Sequence, residues 1–176
     1  MEGIVLSIGQ QVATAVIEAL QGVPPWIIVI LIAMLPIVEL RLALPIALLT
    51  LDMPVAQAIF FSILGNMLPI PFILYLLGPV SRFLSRWHLF ERFFNWLFAR
   101  AKRKSKAVER YEALGLILFV AIPLPVTGAW TGSVAAYLAG IPVWRSMLFI
   151  FLGVCIAATV VTLATMGVLG AVSLIQ

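Results

Sequence analysis

Residues 24–51 read PPWIIVILIAMLPIVELRLALPIALLTL. A helix that crosses a hydrocarbon core of ~30 Å needs ~20 apolar residues. These 28 residues are long for one crossing and too short for two plus a turn. Their centre carries Pro36, Glu39, Arg41 and Pro45. Proline removes a backbone donor and disrupts the preceding turn. A charged side chain at bilayer depth costs ~3 kcal/mol on insertion scales. The segment is expected to enter the membrane, break at its centre and return to the same side as a re-entrant hairpin. A kinked span is the plainer alternative. Irregular backbone at that depth is tolerated only where protein or a water-filled cavity covers it.

A second stretch has the same design. Residues 113–141 (ALGLILFVAIPLPVTGAWTGSVAAYLAGI) number 29 and break at Pro123, Pro125, Thr127, Gly128 and Thr131. Each hairpin is followed by a plain apolar run, 53–77 and 143–171, long enough for a transmembrane helix. A shift of 88 residues lays one unit on the other. Ala33, Val38, Ala47, Pro54, Val55, Phe61, Leu64 and Gly65 fall on Ala121, Val126, Ala135, Pro142, Val143, Phe149, Leu152 and Gly153. That is eight identities over 33 positions without a gap. Apolar composition inflates such matches, but the Pro-Val pair and the glycine keep the same place in each unit.

The whole chain fits a bilayer. Of 176 residues, 64% are apolar and 10% are charged, against about a quarter charged in soluble domains. Seven acids and eleven bases cannot cover a soluble exterior. This excludes a soluble enzyme, a nucleic-acid-binding domain and a disordered chain. The apolar runs do not alternate with polar residues, so helices are expected rather than a barrel. The fold class read here is all-α integral membrane: an inverted repeat of re-entrant hairpin plus transmembrane helix, with a cytoplasmic amphipathic helix between the repeats.

Charge sets the orientation. Residues 80–112 hold nine of the eleven bases and three acids, a net of +6. The positive-inside rule puts them in the cytoplasm. Phe83, Trp87, Phe90, Phe94, Leu97 and Phe98 recur at helical spacing there, the pattern of an interfacial helix. The first hairpin then opens to the outside, the second to the inside, and the repeats are inverted. Residues 1–22 carry one apolar and one polar stripe and read as an outer interfacial helix, with no cleavable signal. The lone Cys155 offers no disulfide or zinc motif.

Inverted repeats with broken helices at the midplane are the plan of many secondary transporters. Glu39 could bind and release a proton during such a cycle. Arg41 could hold an anionic headgroup or pair with Glu39. A structural ion pair locking the tip is the alternative role for both. Thr127, Thr131 and Ser133 offer hydroxyls at the second tip, although small-residue packing from Gly128 through Ala136 accounts for them equally well. Asn66 either lines the same cavity or satisfies carbonyls freed by Pro69 and Pro71. Asp52 reads as an N-cap for the helix starting near Pro54, and Arg145 as an inner-interface anchor; both are also candidates for gating. The chain has no HExxH, no second intramembrane aspartate, no histidine near Ser133 and no Walker sequence. It is expected to be no enzyme and to carry no cofactor or metal.

Two motifs, Ile37-Val-Glu-Leu-Arg-Leu-Ala-Leu-Pro45 and Pro123-Leu-Pro-Val-Thr-Gly-Ala-Trp-Thr-Gly-Ser133, separated by a basic helix, resemble the small multi-drug export protein family. That family looks like a distant branch of the DedA superfamily, which includes the VTT-domain proteins. The resemblance implies opposed re-entrant hairpins in a prokaryotic inner membrane. It also implies proton-coupled export or flipping of a lipid or amphipathic small molecule, such as a lipid phosphate. A passive scramblase or membrane-organising protein without ion coupling is the competing expectation. The partners expected are membrane lipids, the substrate, protons and a second copy in a homodimer that shields the broken helices, with no nucleic acid.

Overall fold

The computed structural model describes residues 11, 14–15, 17–20, 22–84, 106–122 and 127–173. All of its regular elements are helices, and no strand occurs among the described residues. In chain order they are α1 (Pro25–Met34), α2 (Glu39–Leu49), α3 (Val55–Met67), α4 (Ile70–Leu84), α5 (Lys106–Ala121), α6 (Ala129–Leu138) and α7 (Val143–Ser173). Residues 85–105, most of the basic amphipathic segment, lie outside the described residues, as do Pro123 and Pro125.

The break in the first apolar stretch falls at residues 35–38, where Pro36 sits in the turn between α1 and α2. The two helices have ten and eleven residues, or about 15 Å each at 1.5 Å per residue. Neither is long enough to cross a bilayer, and they pack against each other. Pro45 is not a second break. Helix α2 runs through it to Leu49, held by packing against α1, α3 and α7. Tertiary packing here overrides the loss of one helical hydrogen bond.

The long apolar elements are Val55–Val80 and Val143–Gly167, 26 and 25 residues. At 1.5 Å per residue each spans a ~30 Å core with room for tilt. The first bears out the transmembrane helix expected over 53–77, running from Val55 to Val80. Its hydrogen bonding is interrupted only where α3 passes into α4, since Pro69 and Pro71 have no N–H to donate, and Leu68 keeps helical backbone with its N–H on the Leu64 carbonyl. The boundary expected between residues 112 and 113 is also absent. Helix α5 starts at Lys106 and continues into the second apolar stretch.

Three local features recur at the shift of 88 residues. Val55 and Val143, 88 residues apart, both start a helix just after a proline. Asp52 and Gly140, again 88 apart, both hold a left-handed backbone, at φ 46° and 69°. Glycine takes that conformation freely and aspartate tolerates it. Asp52 is therefore a turn residue closing α2, and the N-cap reading is corrected. The cap of α3 is Pro54, with no side-chain hydrogen bond. Gly65 and Gly153 repeat as well. A methyl group at Gly65 would lie 2.5 Å from the Ile30 carbonyl oxygen and 2.9 Å from Ala33 Cβ. One at Gly153 would lie 2.8 Å from the Ile117 carbonyl oxygen and 2.7 Å from Val120 Cβ. So α3 lies tight on α1, and α7 tight on α5.

Two apolar clusters fill the bundle. One joins Ile28, Val29, Ile32 and Ala33 of α1 to Ala43 and Ala47 of α2 and Ala58 of α3, with Ile17 and Leu20 against it. The other joins Leu40 and Leu44 of α2 to Ile70 and Leu74, Leu116 and Val120, Ala129 and Ala136, and Ile150 and Val154. The second cluster is where the halves of the chain meet.

Candidate functional site

The tip of the first helix pair lies against the tip of the second. Glu39 opens α2 with a left-handed φ of 48°. A non-glycine residue held there costs of order 1–3 kcal/mol, and such residues cluster at functional sites. Its side chain is only 7% exposed. Oε1 accepts a hydrogen bond from the Trp130 backbone N–H at 3.2 Å. The Ala129 N–H also bonds to the carboxylate.

These donors belong to the first turn of α6. The first N–H groups of a helix have no partner inside it, and the helix dipole favours negative charge there. Residue Gly128, at the cap position, supplies no side chain to meet them. Glu39 of the other helix pair fills that role. Gly128 also has no room for a Cβ: one built there would fall on the Glu39 carboxylate. Its φ of 168° is ordinary extended backbone, so close approach is what requires glycine.

Arg41 does the opposite job. Its Nη2 donates to the Ile122 carbonyl at 3.3 Å and to Thr127 Oγ1 at 3.0 Å. Thr127 Oγ1 in turn donates to the Ile122 carbonyl at 2.9 Å. Ile122 follows the last residue of α5, where a helix presents bare carbonyls and favours a cation. Glu39 and Arg41 thus direct their hydrogen bonds to two ends of the opposing helix pair. The contact is reciprocal in repeat terms, since Glu39 and Thr127 are 88 residues apart. Each reaches the residues just past its counterpart.

Trp130 was not singled out in the sequence. Besides its backbone N–H, its indole Nε1 donates to the Met34 carbonyl at 3.2 Å, near the end of α1. A tryptophan beside a hairpin break was the available signal, because a buried indole N–H needs an acceptor. The other hydroxyls of the second tip turn inward. Thr131 Oγ1 faces the Gly128 carbonyl at 3.4 Å, and Ser133 Oγ donates to the Ala129 carbonyl at 2.7 Å. Small-residue packing is real too: a methyl group at Gly132 would lie 2.6 Å from Val120 Cγ2.

The structure gathers Glu39, Arg41, Thr127 and Gly128. Asn66 sits on the buried face of α3, and its Oδ1 has no hydrogen-bond partner among the described residues. Arg145 is exposed in the first turn of α7. Between the long helices lies an apolar groove of about 460 Å³, lined by Phe60, Leu64 and Met67 of α3 and Trp144, Leu148 and Phe151 of α7.

Residues 39–160 match the family model described as "Putative small multi-drug export protein". The chain belongs to this family. The match starts at Glu39 and covers more than half of the chain, including both halves of the junction. With its two long apolar helices, the chain is a membrane protein of an export family. No curated protein and no solved structure matches it.

Proposed function

We propose that this chain is a proton-coupled secondary transporter whose two broken-helix units meet at a gate made by Glu39, Arg41, Thr127, Gly128 and the backbone N–H of Trp130. Both short helix pairs enter the membrane as re-entrant hairpins, the first from outside and the second from the cytoplasm, with residues 80–112 on the cytoplasmic face of a prokaryotic inner membrane. One observation carries the reading: a buried carboxylate of one unit caps a helix of the other.

The coupling follows from electrostatics. Ionised Glu39 gains from the helix dipole and from charge-assisted hydrogen bonds to its first turn. Protonated Glu39 loses both, so α6 is freed from α2. Proton binding opens the junction and proton release closes it. Arg41 holds the second contact and meets an anionic group when the junction parts. The apolar groove between α3 and α7 suits the hydrophobic part of an amphipathic substrate. Lipid phosphates are candidates through the likeness of the hairpin motifs to DedA proteins.

Proteoliposomes with an imposed pH gradient test this reading, with a lipophilic cation and a fluorescent lipid phosphate as probes. Wild-type protein should accumulate at least one probe against its gradient. Glu39→Gln should be inserted and folded but lose accumulation. Gradient-independent movement of equal rate in both proteins would replace coupled export with passive scrambling.

A further inference from the structure

Two oxygen atoms inside the bundle, Ser62 Oγ and Asn66 Oδ1, are sealed from solvent and have no hydrogen-bond partner among the described residues. Ser62 is 0% exposed and Asn66 3%. A buried polar group without a partner disfavours the packing that buries it.

Ser62 does not use the common local remedy. A helical serine or threonine can donate to the carbonyl four residues back. Ser133, Ser146, Thr159, Thr162 and Thr165 all do so here. Ser62 does not take the matching Ala58 carbonyl. Nor does packing require polar residues at this place. The repeat counterparts of Ser62 and Asn66 are Ile150 and Val154, both buried in an apolar cluster. The polar pair is particular to the first unit.

Its place in the fold is specific. The buried face of α3 is Ala58, Ser62, Gly65 and Asn66. Ala58 belongs to the cluster with α1 and α2. Gly65 meets α1 at the Ile30 carbonyl and Ala33. The polar pair thus lies on the face where the helix pair α1–α2 rests on α3. That helix pair is bounded by two exposed residues with left-handed backbone, Gly22 (φ 89°) before α1 and Asp52 (φ 46°) after α2. A few residues at the ends of an element are where hinge motion is absorbed.

We propose that the contact between the first helix pair and α3 opens during the transport cycle, and that Ser62 and Asn66 are the wall of the water-filled passage this creates. In the closed arrangement both oxygens are bare. In the open one water satisfies both. The polar pair therefore biases the contact towards opening, and the apolar residues at the same places in the second unit do not. The proposal deepens the transport reading and rests on it for the use of the passage. The opening itself is tested without a proton gradient or Glu39, so its failure leaves proton coupling standing.

Single cysteines in a Cys155→Ser background, in nanodiscs, give the test with a charged methanethiosulfonate reagent. Ser62→Cys and Asn66→Cys should react about 10–1,000-fold more slowly than the exposed position Thr50→Cys, as an open state populated at 0.1–10% requires. Val154→Cys, 1% exposed in the native protein, should stay unmodified over the same time. A second measurement keeps the native cysteine. Ser62→Ala and Asn66→Leu remove the bare oxygens from the closed form, so each should raise Tm by a few degrees. Absence of reaction at both Ser62→Cys and Asn66→Cys overturns the proposal. So does equal reaction at Val154→Cys, which would reflect general loosening of the bundle. A Tm that falls in both Ser62→Ala and Asn66→Leu overturns it as well, because the closed form would then depend on those polar groups.

Discussion

A methyl group on Gly128 would fall on the Glu39 carboxylate. At the residue scale, this close approach links the two halves of the chain. Gly128→Ala should push Glu39 off the α6 terminus and lower stability by about 1–3 kcal/mol, the range for an overpacked contact. Paired with Glu39→Ala, the same change should have a much smaller effect, because the two occupy one space. A double-mutant cycle by thermal unfolding reads the coupling directly. Additive effects would mean that the two residues do not meet. Trp130→Phe makes a useful contrast. It removes the indole bond to Met34 but leaves the backbone N–H that holds Glu39. It should cost about 1 kcal/mol of stability and leave coupled transport in place.

At the element scale, two glycines set how closely helices approach. Alanine in place of a helical glycine with open space around it is stabilising by up to ~1 kcal/mol. Gly78→Ala should behave that way, since nothing lies within 4 Å of its added methyl. Gly65→Ala and Gly153→Ala should each destabilise, by about 1–3 kcal/mol, because backbone and side chains of α1 and α5 occupy that space. A thermal-shift comparison of the three separates the cases. The shift of 88 residues was legible in sequence because Pro54, Val55 and Gly65 recur at Pro142, Val143 and Gly153, and the structure gives each pair the same local setting. The same reading placed a break around Pro36, where α1 turns into α2, and singled out the charged residues Glu39 and Arg41. Other features were not legible. Pro45 looks like a breaker locally, and only packing from three neighbouring helices keeps α2 intact. The left-handed turn at Asp52 looks like a cap, since aspartate favours both. The partners of Glu39 lie 90 residues away, on backbone N–H groups that have no sequence signature.

At the scale of the whole molecule, the account needs the two units to face opposite sides of the membrane. Labelling cysteines in a Cys155→Ser background checks this. An impermeant thiol reagent on intact cells should reach Thr50→Cys, after α2, and not Tyr111→Cys, near the start of α5. Both native residues are exposed. Labelling of both, or the reverse, would remove the inverted arrangement. The central claim is that the charge of Glu39 holds the junction shut. Spin labels on the exposed positions Ile37, in the α1–α2 turn, and Val134, on α6, report that junction by pulsed electron resonance in nanodiscs. The account predicts that acidic pH moves the distance distribution towards longer separations, and that Glu39→Gln gives the longer distribution at every pH. One unchanged distribution, shared by wild-type and Glu39→Gln protein across pH, would contradict it.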